Sequence, residues 1–193
     1  MVICLLGPDG VGKSTIIDFF RKKHDNLLCF HLKPIKSDIV DFNSVAEACE
    51  PHSAKNYNKF VSYIKLIYLV FLYNFGWFVN VVSSKKESLI IFDRYLDDMM
   101  VDPGRFRFSG DQFFVKIALK LVPRPDMYFI LHASSDNILN RKKELTRLQI
   151  DDINSNYLLL AKNSAMHVVI NANSNPDMIF KEILKQLKNY YEC

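Results

Sequence analysis

The sequence predicts an α/β domain built around a parallel sheet. Three observations carry that expectation. Short apolar runs alternate with helix-patterned segments along the chain. The first run, Val2-Ile3-Cys4-Leu5-Leu6, passes through a glycine-bearing turn straight into a helical pattern that begins near Lys13. A later run, Leu89-Ile90-Ile91-Phe92, closes on an aspartate, Asp93. The 193 residues suit one domain spanning 1–193, and 49% hydrophobic with 24% charged residues suits a soluble fold with a large core.

The elements follow in order. Strand one covers about 2–6 and helix one about 13–24, and Leu27–Leu32 reads as strand two. Residues 33–54 are polar, with weak helical signals only, and a long apolar helical region covers about 55–82. Residues 83–87 turn the chain into strand three, Ser88–Phe92. An irregular stretch at 94–110 precedes a helix at about 111–121, which Pro123 and Pro125 end. Strand four is Met127–Leu131 and is followed by a helix at 136–144 that ends in a basic cluster. Another helix spans 150–164, and Val168–Ile170 is strand five. The last helix begins near Pro176, a favoured first-turn residue. It places Ile179, Phe180, Ile183, Leu184 and Leu187 on one face and Lys181, Lys185 and Lys188 on a solvated one.

The turn after strand one reads Gly7-Pro8-Asp9-Gly10-Val11-Gly12-Lys13-Ser14-Thr15, which is the P-loop spacing G-x-x-x-x-G-K-[ST]. Gly10 and Gly12 permit backbone conformations closed to residues with a Cβ, so the loop amides can turn inward onto phosphate oxygens at a helix N-terminus. Lys13 supplies a mobile cation for the β- and γ-phosphates and Ser14 a hydroxyl for Mg²⁺. The motif thus predicts ATP as cofactor, cradled by Gly7–Thr15, with Mg²⁺ beside it.

A second chemical cluster, Asp93-Arg94-Tyr95, closes strand three. An apolar strand ending in aspartate beside a P-loop strand resembles a Walker-B arrangement, so Asp93 joins Ser14 as a candidate metal ligand. Arg94 is suited to holding an anionic acceptor by paired hydrogen bonds. Ligands of open α/β sheets collect at the carboxyl ends of strands, where both motifs lie. The basic run Arg141-Lys142-Lys143, with Arg147 beyond it, reads either as a solvated helix end or as a mobile lid whose arginines close over ATP.

The net charge of +4 is a mild bias toward anionic small ligands and too small and scattered to indicate nucleic-acid binding. Cysteines at 4, 29, 49 and 193 show no metal or redox spacing. Free buried thiols and an N-terminus committed to the fold predict a cytoplasmic protein. The stretch Val61–Val82 is long enough to span a bilayer but contains Lys65, Asn74, Gly76 and Asn80 and lies between two strands of one sheet. The expectation is therefore no transmembrane span and a buried helix, shared with a second copy in a homodimer through 55–82; peripheral membrane contact is the weaker reading.

With these motifs in order, the sequence resembles thymidylate kinases and their relatives among the nucleoside monophosphate kinases over nearly its full length. The resemblance rests on GPDGVGKST, on FDRY closing strand three, on PDMYFIL followed by S-x-D-N-I-L-N-R-K, on Tyr157-Leu158-x-Leu160-Ala161 and on Val169-Ile170-Asn171-Ala172. It implies a three-layer P-loop kinase fold with a five-stranded parallel sheet in order 2-3-1-4-5, a lid at about 141–149 after strand four, and a dimer. It further implies that Asp9 faces the acceptor sugar, that Arg94 holds the acceptor phosphate, and that Asn171, Ala172 and Asn173 lie near the adenine. Arg141 and Arg147, with Lys143 behind them, match the lid basic residues. Residues 96–108 depart from the family, which usually carries a serine and an Ala-Tyr-Gln segment there. Here Arg105-Phe106-Arg107-Phe108 reads either as a site for an anionic, stackable acceptor or as a packed loop. Tyr57, Phe60, Tyr63 and Tyr68 are candidates for the acceptor pocket or the core.

Together these readings predict ATP-dependent phosphoryl transfer to a small phosphorylated acceptor, first of all a thymidylate-like nucleoside monophosphate. The alternatives are a non-nucleotide acceptor such as a sugar, glycan or lipid-linked intermediate, and a non-catalytic nucleotide-binding module. The guanine-reading N-K-x-D motif of switch GTPases is absent from the sequence.

Overall fold

A computed structural model of the chain describes residues 1–34, 55–84, 89–162 and 164–192. The expected polar stretch at 33–54, the exit turn at 85–87, Ser88 of strand three, Cys49 and Cys193 lie wholly or mainly outside these residues.

Five parallel strands form one sheet in the order β2-β3-β1-β4-β5: β1 (Val2–Leu6), β2 (Leu27–His31), β3 (Leu89–Asp93), β4 (Met127–His132) and β5 (His167–Asn171). β1 is central, and all five of its side chains are buried, which is why it reads as an unbroken apolar run. Each such side chain contributes about 1.5–3 kcal/mol through burial. The register pairs Leu5 with Asp93 and Leu6 with Ile130, so the end of β1 sits level with the last residue of β3.

Helices flank the sheet: α1 (Lys13–Lys23), α2 (Lys59–Gly76, continued as a π-helical turn over Trp77–Val82), α3 (Asp98–Val101), α4 (Gln112–Leu121), α5 (Ser135–Arg141), α6 (Arg147–Lys162) and α7 (Pro176–Glu192). α1 packs on α7 through Phe20 and Phe180, whose rings meet edge-on at 4.8 Å. The lysines of α7 are exposed as expected. Asn58 caps α2 by accepting a 2.8 Å bond from the Val61 amide.

Several boundaries move. The helix expected at 136–144 ends at Arg141, and the helix expected at 150–164 begins at Arg147, so the link after α5 is only Lys142–Thr146. The irregular stretch 94–110 contains α3 and a 3₁₀ turn at Pro103–Phe106, which Asp102 caps by accepting from the Arg105 amide.

Within a single chain the long apolar helix has a covered side and an open one. Only one side of α2 is covered, through Ser62, Leu66, Leu69, Tyr73 and Gly76. Phe60, Ile64, Ile67, Tyr68, Phe71 and Phe75 stand exposed. Among the described residues it is the one helix long and apolar enough to cross a membrane. Its polar residues bind the rest of the domain: Lys65 donates to the Phe106 carbonyl (2.7 Å), Asn74 to the Leu121 carbonyl (3.0 Å) and Asn80 to the Pro34 carbonyl (2.9 Å). Trp77 stacks on Phe92 of β3 at 5.8 Å.

Gly76 reports on this docking. A Cβ there would lie 2.6 Å from the Pro34 carbonyl oxygen. In an unconstrained helix, Gly→Ala stabilises by about 1 kcal/mol; here the clash is with backbone. Gly76→Ala is expected to destabilise the protein by about 1–3 kcal/mol in urea unfolding. A gain in stability would show that α2 does not sit against Pro34.

Candidate active site at the carboxyl edge of the sheet

The loop between β1 and α1 has the strained geometry that its glycines allow. Gly7, Gly10 and Gly12 have φ of 142°, 80° and 110°. A Cβ on Gly7 would fall 2.6 Å from the Leu131 carbonyl oxygen, so the loop lies hard against β4. Lys13 is buried, and its ammonium folds back to donate to the Gly7 and Pro8 carbonyls at 2.9 and 3.0 Å. Burial, aided by the Arg94 charge, lowers the Lys13 pKa to about 8. Ser14 and Thr15 face solvent at the first turn of α1.

Asp93 ends β3 level with Leu5. One carboxylate oxygen meets His31 Nδ1 at 3.1 Å, and the other is buried without a hydrogen-bond partner. Burial alone would raise the Asp93 pKa, but the His31 hydrogen bond and the Lys13 charge hold it below its usual value. The orphaned oxygen and the open Ser14 hydroxyl fit a hard divalent cation that takes few protein ligands and completes its shell with phosphate and water. No cluster of three or more His, Cys, Asp or Glu suited to a metal occurs among the described residues.

Arg94 is the centre of the arrangement. Its backbone is left-handed (φ 72°) and its amide donates to the Leu5 carbonyl at 3.0 Å. The side chain is 3% exposed. Nη1 donates to Asp98 at 2.6 Å and to the Tyr157 hydroxyl at 3.3 Å, and Nη2 donates to Asp9 at 2.6 Å. Tyr157 Oη in turn donates to Asp98 at 2.8 Å. Asp9 also pairs with the guanidinium of Arg105. Burial pushes the Asp9 pKa up, but Arg94, Arg105 and Lys13 outweigh it and keep this carboxyl well below the usual range. Asp9, which the motif groups with the cofactor loop, therefore turns its side chain toward the arginines.

On the other side of the loop, Arg141 Nη1 donates to the Val11 carbonyl at 3.2 Å. Val11, Gly12, Thr15, Ile16, Arg141 and Pro176 are among the residues lining a cleft of about 160 Å³. The turn 171–173 lies on the same edge of the sheet: the buried Ala172 donates its amide to the His132 carbonyl (2.8 Å), and Asn173 accepts from the Ser134 amide and the Asn137 side chain. Asn171 accepts from the Asn173 amide at 3.0 Å.

The structure thus brings Gly7, Asp9, Gly10, Val11, Gly12, Lys13, Ser14, Thr15, Asp93, Arg94 and Arg141 to one edge. Arg147 pairs at the surface with Asp136, near the start of α5, and Lys143 is exposed. In the segment 96–108, Phe106 and Phe108 are buried, as the packed-loop reading expects, and Arg105 reaches Asp9. Arg107 instead stacks on Tyr57 at 4.1 Å. Tyr63 packs on Phe108 and Phe114, while Phe60 and Tyr68 are surface residues. Sequence reasoning misses Asp98 as a site residue, whereas Arg105 stands in the arginine–aromatic run 105–108 that the sequence offers as a candidate acceptor site.

No protein-family model matches the chain. Across an alignment covering 99% of this chain and 96% of the other, it is 26% identical to a thymidylate kinase from Chlorobium limicola. Its fold matches that of thymidylate kinase from Candida albicans with a TM-score of 0.68 at 16% identity, covering 98% of this chain and 92% of that one. The thymidylate kinase from Ehrlichia chaffeensis gives 0.63 at 17% identity, covering 97% and 98%. Deoxyadenosine kinase from M. mycoides with bound dATP gives 0.59 at 19% identity, covering 97% and 100%. The solved structures share the fold and the sequence likeness runs end to end; with the P-loop and the Asp93-Arg94 pair on neighbouring strands, the chain is thymidylate kinase-like.

Proposed function

We propose that this chain is an ATP- and Mg²⁺-dependent kinase that transfers the γ-phosphoryl group to a small phosphorylated acceptor, a thymidylate-like deoxynucleoside monophosphate first of all. The observation that supports it most is the placement of a phosphate cradle just past β1 beside a buried guanidinium just past its register neighbour β3. The full-length likeness to a thymidylate kinase supports the acceptor class.

The loop amides and Lys13 would hold the triphosphate, with the ammonium leaving the Gly7 and Pro8 carbonyls for phosphate oxygens. Ser14 and Asp93 would hold Mg²⁺, which supplies charge neutralisation at the phosphoryl oxygens. Arg94 would place the acceptor phosphate, and Arg141, above the loop, would stabilise charge on the transferring group. The link after α5 would close as a lid and exclude water. The turn 171–173 would border the adenine.

The exposed face of α2 would be covered by a second copy of the chain. Phe60, Ile64, Ile67, Phe71, Phe75 and Phe78 recur every three to four residues along it, and an apolar groove of about 580 Å³ between α2 and α4 adjoins them.

Three outcomes test these readings. With ATP and Mg²⁺, ADP release should depend on dTMP more than on sugar phosphates, and Lys13→Ala should lower turnover on the order of 10²–10³-fold; unchanged turnover in the folded variant would refute the assignment. ATP binding should take up a proton near pH 8 and weaken above it, because phosphate stabilises the charged form of a lysine whose pKa is about 8. Calorimetry in two buffers of different ionisation heat reads this directly, and zero uptake would contradict it. In light scattering, the protein should run at twice its 22.5 kDa chain mass, and Phe71→Glu should shift it to monomer.

A further inference from the structure

The network around Asp9 has an asymmetry that the phosphate cradle does not explain. Among the described residues, three carboxylates serve two arginines. Asp98 is dedicated to Arg94 at 2.6 Å and is fully buried. Asp102 serves Arg105, through Nε at 3.5 Å and through the Arg105 amide at 3.2 Å, and its side chain is 10% exposed. Asp9 is shared: one oxygen takes Arg94 Nη2 and the other takes Arg105 Nη2. It is also the most exposed of the three, at 20%, and lies on the loop between Pro8 and the left-handed Gly10.

A carboxylate bridging two guanidinium groups occupies the place that a phosphate monoester dianion would take, since both ligands offer oxygens to paired N–H donors. We propose that Arg94 and Arg105 form a two-arginine site for the acceptor's phosphate, and that Asp9 is its internal competitor, displaced when the acceptor binds. This deepens the kinase reading above and rests on it. The exchange is electrostatically reasonable. Asp98 and Asp102 stay on the arginines and keep them positioned, while a dianion replaces a monoanion between them. Displacement also frees the Asp9 carboxylate on the acceptor side of the loop. Arg105 comes from the segment that departs from the usual thymidylate kinase pattern, so this site gives that segment a binding role that holds for any phosphorylated acceptor, nucleotide or not.

Inorganic phosphate is the probe, titrated by calorimetry into protein saturated with Mg²⁺ and a non-hydrolysable ATP analogue so that the P-loop is filled. Arg105→Met should weaken phosphate binding about 10- to 100-fold, and Arg105→Lys by less. Asp9→Asn should strengthen it about tenfold or more, because the competitor's charge is gone; unfolding cannot produce such a gain. If Arg105→Met does not fold, the Asp9→Asn titration decides. Unchanged or weaker phosphate binding in Asp9→Asn, or unchanged binding in folded Arg105→Met, overturns the inference while leaving the kinase reading intact. Failure of the ATP analogue to bind wild-type protein overturns the kinase reading instead, at the first step.

Discussion

The guanidinium of Arg94 is nearly sealed from water, and the carboxyl edge of the sheet is organised around keeping it charged there. Burying such an ion costs several kcal/mol unless every donor finds a partner. Three elements converge on the end of β3 to supply those partners. The chain leaving β3 takes a left-handed residue, at a cost of about 1–3 kcal/mol, to aim the side chain inward. α3 begins at Asp98, α6 brings Tyr157, and the P-loop brings Asp9. Burial works against the charge, but Asp98, Tyr157 and Asp9 raise the Arg94 pKa well above its ordinary value. Loop, strand end and two helices are therefore held in mutual register by one ion.

The same constraint explains why so short a helix as α3 persists. Four residues cannot sustain a helix alone. Asp97 and Asp98, adjacent in sequence, are pinned in opposite directions. Asp98 faces Arg94, and Asp97 faces Arg124 at 3.3 Å and the buried His167 at 3.9 Å. Burial lifts the Asp97 pKa to about 6, against the pull of Arg124. Burial, with Arg124, lowers that of His167 to about 4. Near neutral pH the cluster therefore holds an Asp97–Arg124 ion pair beside a neutral imidazole, and the segment after β3 is clamped on both sides.

The long helix α2 meets two demands. One face docks on β3 and its following turn through Tyr73 and Trp77, with Lys65, Asn74 and Asn80 satisfied by carbonyls of neighbouring segments. The other face stays apolar and open. High hydropathy along a helix thus has a local cause on one side only. Tyr63, Tyr73 and Trp77 pack inward, while Phe60, Phe71 and Phe75 do not.

The parallel sheet, the glycine loop and the Asp93-Arg94 pair were legible in the sequence because each depends on local chemistry. A strand buried on both faces must be continuously apolar, a cradle of inward amides requires residues free of a Cβ, and a strand end must present its last side chains to the ligand edge. What tertiary structure decided is which charges meet. Nothing in the spacing says that Asp9 and Arg105, 96 residues apart, share an ion pair, that Arg141 leans over Val11 while Arg147 turns to Asp136, or which face of α2 is covered. Long side chains choose partners through the packing of distant elements, and that packing is a property of the assembled layers rather than of any stretch of chain.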